Sequence, residues 1–313
     1  MASIATILGI TDWCFNFLGI LIFLLIFIII IIKCRRKLHD ISLVLTLNSC
    51  LASIFTCLTI CIMICSNLTT GFLTFDHQFC IFWGLLHDEF TCAIYYSYCL
   101  HGIYRLCRVV FYKNKVLVVY SLYIKLIFCQ WLLTILILLP PVFLNWYTKI
   151  STEKYCLVPY TNLLAETYHI VVIYLIPLIC IAIIYIKITT FIRNSSHVSL
   201  FILEKRQRQR NIRDLTVLKR IIILMLILTS LRLPATVFMI YDAIIGNLYP
   251  YTFAIVGLTT SICLIFVALL TIHITPQLRK NIFIFHNRRN NQINVQVIPQ
   301  LDLPMNTHIE TIQ

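Results

Sequence analysis

The residues best placed to do chemistry lie along one stretch of the chain, from Cys80 to Arg105. Within it, polar or small residues recur at helical spacing and share one face: His87, Thr91, Tyr95, Tyr98, Gly102 and Arg105. A helix that only had to lie in lipid would not carry these groups, because a polar group in hydrocarbon costs free energy unless it is paired. No nucleophile–base spacing accompanies them, so the chain is not predicted to be an enzyme. The stretch is predicted to be the central helix of a bundle.

The composition of the whole chain predicts that this bundle lies in a membrane. Of the 313 residues, 60% are hydrophobic and 12% are charged, whereas soluble domains are about half apolar and about a quarter charged. The formal net charge is +13, but the basic residues follow the apolar stretches, and no nucleic-acid partner is predicted. Most of the 14 cysteines lie in apolar runs, where a thiol packs as a small hydrophobe. No metal site and no cofactor are predicted.

Seven apolar stretches are long enough to cross about 30 Å of hydrocarbon as helices. They are residues 13–32, 41–65, 80–104, 126–147, 169–192, 219–244 and 250–274. The predicted fold is therefore an all-α membrane protein, a seven-transmembrane helix bundle over residues 13–275.

The two ends of the chain are predicted to lie on opposite sides of a plasma membrane. Lys and Arg cluster after the first, third, fifth and seventh stretches, whereas the opposite loops hold only Lys149 and Lys154. Basic loops stay on the cytoplasmic side, so residues 1–12 are predicted to be an extracellular N-terminus. Residues 276–287 are predicted to form an amphipathic helix on the inner surface, in contact with membrane lipids. Residues 288–313 are predicted to be a disordered cytoplasmic tail.

Arg105 and Asp214 are the informative charges at the predicted inner side. Arg105 ends the third span, and Asp214 lies just before the sixth. A salt bridge between them would hold the inner ends of the two helices together. The alternative is that both face water, where an exposed ion pair contributes about 0–1 kcal/mol.

Arg232 lies in the middle of the sixth span, where a guanidinium is costly and usually paired or functional. His87 and Asp88 are within its reach in a bundle. Two interpretations stay open: an Arg–Asp pair that closes the floor of a pocket, or a counter-charge for an acidic ligand. With Thr91 and Tyr95, these three residues form the predicted ligand-binding set.

Two features are predicted for the extracellular side. Cys80 and Cys156 both fall there, and oxidising surroundings favour a disulfide between them. Such a bridge would pin the second outer loop over the mouth of the bundle. Asn67-Leu68-Thr69 is a glycosylation sequon close to the outer end of the second span, so Asn67 is a predicted modification site.

Taken in order, these residues resemble those of a rhodopsin-like G-protein-coupled receptor. The markers are Cys80 with Cys156, Tyr104-Arg105-Leu106, Trp131, Pro177, Tyr185, Asp214 and Pro234. The resemblance covers essentially the whole chain up to the predicted amphipathic helix. It implies a pocket in the outer half for an extracellular ligand. Because Arg232 could be a counter-charge, a peptide or small molecule with an acidic group is the first choice of ligand. The resemblance also implies contact with a heterotrimeric G protein at Arg105, Tyr185 and the inner ends of spans five and six.

The sequence departs from the family pattern in ways that keep an alternative open. Arg105 lacks its acidic neighbour, Ser53 stands where the family has an aspartate, Arg232 replaces the tryptophan before Pro234, and Val267 replaces an asparagine. These losses favour a seven-span scaffold or dimer partner that no longer signals. A secondary transporter is a further alternative, but the internal repeats that mark many transporters are missing from the sequence.

Overall fold

The computed structural model describes residues 2–34, 40–150, 153–198, 222–223, 226–227, 229, 233–246 and 249–274. Its helices are α1 Ala2–Cys34, α2 Ile41–Leu68, α3 His77–Val109, α4 Tyr120–Phe143, α5 Leu163–His169, α6 Ile176–Val198, α7 Leu233–Ile245 and α8 Thr252–Ile274. Short 3₁₀ turns occupy Phe72–Thr74 and Lys115–Val118, and a two-stranded antiparallel hairpin pairs β1 Thr148–Lys149 with β2 Cys156–Leu157.

Five helical segments of the described chain are long and apolar enough to cross a membrane. They are Ile4–Ile32, Ile41–Leu68, Tyr120–Phe143, Leu163–Arg193 and Thr252–Ile272, which correspond to the first, second, fourth, fifth and seventh predicted spans. The third predicted span lies within α3, which is more polar. The shorter apolar helix α7 covers the second half of the sixth. The predicted amphipathic helix, the tail, Asp214 and Arg232 lie outside the described residues.

Helix α1 begins at Ala2, well before the predicted start of the first span at residue 13. The segment before residue 13 is mostly apolar, and it packs against the C-terminal end of α2. A Cβ placed on Gly9 would lie 3.3 Å from Cδ2 of Leu68, so the two helices run in close contact there. Asp12 is consequently part of a buried helix face, with 5% of its surface exposed.

Helix α3 is the central element of the described bundle, as predicted. It packs against α2, α4 and α6, and it also contacts the hairpin strand β2. Tyr95 and Tyr98 are both buried, and the Tyr95 ring meets Tyr174 edge-on, with centroids 4.7 Å apart. The polar face identified in the sequence is therefore an interior face.

Side-chain hydrogen bonds tie α2, α3 and α4 together. Asn48 on α2 donates to Oε1 of Gln130 at 2.8 Å and accepts from the indole N–H of Trp131 at 2.9 Å. On α3, Glu89 accepts a hydrogen bond of 2.6 Å from Thr134 of α4. Without water in the bilayer, buried polar groups must be satisfied inside the protein, and these bonds fix how the three helices face one another.

Helices α5 and α6 form one continuous rod, because the π-helical turns Ile170–Leu175 join them. The wide turns come just before Pro177, which has no N–H to donate to the preceding turn. The carbonyl of Pro177 itself accepts a hydrogen bond from Sγ of Cys99 on α3, at 3.4 Å. This irregular segment therefore lies against the middle of the central helix.

Candidate ligand site

The disulfide predicted from the sequence is present and joins the start of α3 to the hairpin. Cys80 and Cys156 are bonded, with their Cα atoms 5.3 Å apart. Gly84, one turn further along α3, lets the hairpin approach closely: a Cβ there would lie 2.6 Å from the carbonyl oxygen of Cys156 and 3.0 Å from Cδ1 of Tyr147. The loop between α4 and α5 is thus seated on the end of the central helix.

Gly84→Ala is expected to destabilise the protein, because the added methyl group would meet backbone that the disulfide holds in place. Overpacking of this kind costs about 1–3 kcal/mol, and we expect a clear loss of melting temperature in purified, lipid-reconstituted protein. Gly102→Ala on the same helix is the matched control, since its new Cβ would face the mobile end of a side chain, Cδ1 of Ile184, at 3.3 Å. Equal melting temperatures for the two variants would contradict the close seating at Gly84.

The other side of the same loop is fastened to the end of α2. The hydroxyl of Ser66 donates to the carbonyl of Lys154 at 2.9 Å, and the backbone N–H of Lys154 donates to Oδ1 of Asn67 at 3.1 Å. The Nδ2 group of Asn67 donates to Glu153, and Nζ of Lys154 donates to the carbonyl of Thr69 at 2.6 Å. The predicted glycosylation residue Asn67 is therefore also a structural contact of this loop.

Glu153 is expected to make the stability of the protein depend on pH. Burial raises the pKa of its carboxyl group from 4.5 to about 7, and the hydrogen bond from Asn67 offsets part of that rise. Because the folded protein holds this proton more tightly than the unfolded chain, the stabilisation is fully present below about pH 4.5 and is lost as the pH rises through about 7.

Glu153→Gln keeps a neutral side chain at every pH, so it isolates this effect. Between pH 5 and pH 8, the melting temperature of the wild type should fall relative to that of Glu153→Gln. Thermal unfolding of both proteins in the same lipid at each pH measures the difference. If the melting temperatures of the two proteins change in parallel between pH 5 and pH 8, Glu153 does not titrate in this pH range.

A cavity of about 470 Å³ lies under this loop. Its walls are formed by α1, α2, α3, the α4–α5 loop, α5 and α8. One lining residue from each of these elements, in the same order, is Gly9, Met63, His87, Tyr155, His169 and Thr260. Ligand pockets usually have volumes of about 300–1,000 Å³ and polar groups at a few positions. The cavity therefore has the size and the mixed lining of a small-molecule site.

The structure brings together two residues of the predicted ligand-binding set. His87 and Asp88 both line the cavity. Asp88 accepts a hydrogen bond of 2.9 Å from the hydroxyl of Tyr147, and Nδ1 of His169 lies 3.8 Å from the same carboxylate oxygen. Tyr147 is therefore a hydrogen-bond donor to Asp88.

The other predicted ligand residues are placed differently. Thr91 donates to the carbonyl of His87 in its own helix at 2.8 Å, and Tyr95 is packed in the core. Neither is among the residues that line the described cavity. Arg232 lies outside the described residues, so its relation to His87 and Asp88 stays a prediction.

Asp12, which lines the cavity from α1, was not predicted to be a site residue. Its Oδ1 atom accepts hydrogen bonds from Nδ2 of Asn16, at 2.9 Å, and from the hydroxyl of Ser261 on α8. Asn16 Nδ2 also lies 2.6 Å from the Ser261 hydroxyl oxygen. The signal was an acid four residues before an amide in an otherwise apolar run, a spacing that puts both on one helix face. The partner on α8 could not be read from the sequence, because it lies 249 residues from Asp12.

The predicted inner residues lie toward the other end of the central helix. Arg105 is 8% exposed, its Nη2 atom is 3.4 Å from the hydroxyl oxygen of Ser42, and its guanidinium carbon is 5.7 Å from the centre of the Tyr104 ring. Tyr185 is half-buried against the cluster that contains Val109. Asp214 is outside the described residues, so the predicted Arg105–Asp214 salt bridge stays a prediction.

Comparison with known protein families identifies a match over most of the helical region. A family model described as "7 transmembrane receptor (rhodopsin family)" matches residues 26–275. No curated protein matches the chain. The matched residues include α2 to α8, and hence most of the cavity wall and Arg105, whereas Asp12 precedes them.

Proposed function

The chain belongs to the rhodopsin family of seven-transmembrane receptors, and on this premise we propose that it binds an extracellular ligand in the cavity and activates a heterotrimeric G protein. One observation carries the proposal: the same helix, α3, lines the cavity at His87 and Asp88 and holds Arg105 buried toward its other end. A ligand that shifts α3 or its neighbours can therefore change the surroundings of Arg105.

The proposed receptor lies in the plasma membrane with its N-terminus outside. The positive-inside pattern of Lys and Arg supports this orientation, and so does the disulfide between Cys80 and Cys156, since such bonds persist in oxidising compartments. In this orientation the cavity opens to the outside, and Arg105, Tyr185 and Asp214 form the proposed G-protein-coupling region. Residues 276–287 are proposed to lie as an amphipathic helix on the inner lipid surface.

The described wall does not favour an acidic ligand, which the sequence suggested through Arg232. Four carboxyl side chains line the cavity, those of Asp12, Asp88, Glu153 and Glu166. Among the described residues that line the cavity, the lysine is Lys154, and its ammonium group already donates a hydrogen bond to the carbonyl of Thr69. A negatively charged ligand would meet mostly like charge, so we propose a ligand without a net negative charge.

The second candidate, a family member that no longer signals, rests on the residues that depart from the family pattern. Ser53 is fully buried and donates its hydroxyl to the carbonyl of Ser49 in the same helix. It supplies no carboxylate at that position. Val267 is likewise buried and offers no polar group. If these positions are needed for switching, the protein would act as a scaffold or dimer partner in the membrane.

Basal G-protein activation separates the two candidates without a known ligand. The full chain, with an epitope tag at its N-terminus, is expressed at increasing density in cells that carry biosensors for each class of Gα subunit. Antibody binding to intact cells tests the proposed orientation in the same experiment. We expect a signal that rises with receptor density in at least one class. Correct surface display with no signal in any class would favour the scaffold.

A further inference from the structure

We propose that Asp12 anchors a positively charged amine of the ligand inside the cavity. This inference deepens the proposed function, since it names the chemical class that the receptor's cavity takes. It assigns the charge recognition to α1, whose residues 2–25 precede the part of the chain matched by the family model.

The carboxylate of Asp12 is held in one orientation by neutral groups. Oδ1 accepts from the Asn16 amide and the Ser261 hydroxyl, and the carboxylate lies against the backbone of α8. A Cβ on Gly257 would be only 2.7 Å from Oδ2, so the acid fits there because that residue has no side chain. Within the described part of the chain, the hydrogen-bond partners of the Asp12 side chain are neutral donors.

These neutral partners leave the negative charge of the Asp12 carboxylate without a compensating positive charge among the groups that hydrogen-bond to it. A carboxylate that is 5% exposed in an apolar span is costly unless it is paired with a positive charge. The neighbouring Asn16 is 1% exposed, and its carbonyl oxygen accepts no hydrogen bond from the residues that the structure describes. An ammonium group in the cavity supplies the missing positive charge, and its N–H donors suit a place beside the Asp12 carboxylate.

The other charged groups of the wall have partners of their own. Asp88 is engaged by Tyr147 and faces His169 at 3.8 Å, and Glu153 is bonded to Asn67. Asp12 differs from them in lying on an apolar span with neutral donors as its hydrogen-bond partners among the described residues, and the fourth acid, Glu166, is 1% exposed, so we assign the cation to Asp12. Aromatic side chains also line the cavity, including Tyr160 and Phe253, whose rings stack with centroids 4.8 Å apart. Aromatic faces attract cations and cover apolar groups, so an amine attached to an aromatic or aliphatic body suits this lining.

The sign of the potential in the cavity can be measured without knowing the ligand. Ala254, one turn before Gly257 on α8, lines the cavity, and Ala254→Cys places a thiol there. We compare its reaction rates with 2-(trimethylammonium)ethyl and 2-sulfonatoethyl methanethiosulfonate in the reconstituted full chain, each divided by the rate of free 2-mercaptoethanol. The unsubstituted chain gives the background from native cysteines. Met63→Cys on α2 provides a second position in the same wall.

The charge of Asp12 is expected to favour the cationic reagent by about tenfold or more over the anionic one. Asp12→Asn, which preserves shape and hydrogen bonding, should reduce that preference several-fold at both thiol positions. A preference that is unchanged by Asp12→Asn would overturn the assignment to Asp12. Equal rates for the two reagents, or no reaction at either position, would overturn the cation site itself.

Small amines then test the ligand class directly. We expect 2-phenylethylamine to slow modification of the introduced thiol, whereas 2-phenylethanol and 3-phenylpropionate, of similar shape, should not. The protection should disappear in Asp12→Asn. Phenylalanylglycine amide, which carries its amine on a peptide, shows whether the cation can also come from a peptide terminus. Equal protection by the alcohol and the amine would overturn the proposal.

These measurements are independent of signalling. If cation selectivity and amine protection depend on Asp12 but no Gα class responds to the receptor, the proposed function fails and the cation site stands. If the receptor signals but its cavity shows no charge preference, the cation site fails alone.

Discussion

Arg105→Ala is expected to reduce G-protein activation to the level of cells without the receptor. Arg105 is 8% exposed, and its guanidinium group lies between the Ser42 hydroxyl and the Tyr104 ring. Under the proposed function it leaves these partners on activation and contacts the G protein. A guanidinium offers five N–H donors in a fixed planar fork, and alanine offers none. Biosensor signal at matched surface expression is the measurement.

Arg108→Ala is the matched control for a general loss of positive charge. Arg108 lies less than one turn further along α3, and its Nη1 atom is 3.4 Å from the hydroxyl of Tyr104. Because it is less buried than Arg105, we expect its removal to lower activation only in part. Full activity in Arg105→Ala would rule out the proposed role of this residue, and equal losses in both variants would indicate a charge effect instead.

The proposed lock between Arg105 and Asp214 adds a second pair of variants to the same assay. Asp214→Ala should release the inner end of span six and raise basal activity. The double variant Arg105→Ala/Asp214→Ala should match Arg105→Ala, since the acid acts through the arginine. Unchanged basal activity in Asp214→Ala, in a receptor shown to couple, would contradict the lock.

Periodicity and hydropathy were sufficient to predict the central helix and its interior face. The spacing of Tyr95, Tyr98, Gly102 and Arg105 placed them on one side of a helix, and all four are buried in the bundle. The partner of Cys80 was also predictable, because few cysteines fall in the outer loops. These features depend on local spacing or on compartment, which a sequence displays directly.

The polar contacts between distant segments were not predictable in the same way. Asp12 falls in the predicted extracellular N-terminus, yet it lies in α1 and is bonded to Ser261. Glu153 lies in the loop between α4 and α5, and its contact with Asn67 depends on how the hairpin folds back over α2. A pattern along one helix shows which face is polar, but it does not show which residue of another helix meets that face.

The hairpin that covers the cavity is bonded to α3 through the disulfide between Cys80 and Cys156. Removal of this disulfide is expected to increase strongly the fraction of molecules in which the hairpin is open. The bond closes a segment with a sequence separation of 76, and loss of a native disulfide typically costs about 2–5 kcal/mol. Without it, the hairpin is held by the packing at Gly84 and by the hydrogen bonds of Ser66, Asn67 and Lys154.

Trypsin cleavage of intact cells measures how often the hairpin opens. Lys149 and Lys154 are exposed, and on the proposed topology they are the basic residues of the outer loops. Cleavage requires the hairpin to detach from α2 and α3, so the rate of cleavage follows the fraction of molecules in which the hairpin is open. In the double variant Cys80→Ala/Cys156→Ala, we expect cleavage in this loop to be at least about 30 times faster than in the wild type, as the lower end of that free-energy range gives.

The control for a general effect of cysteine removal is Cys129→Ala, which replaces a free, exposed cysteine of α4. It should cleave at the wild-type rate. Mass spectrometry of the fragments identifies the cut after Lys149 or Lys154. If the double variant is cleaved no faster than Cys129→Ala, the contacts with α2 and Gly84 alone keep the hairpin in place, and the disulfide is not what keeps the cavity covered. If cleavage accelerates as expected, the bond that closes the loop also determines how readily a ligand enters.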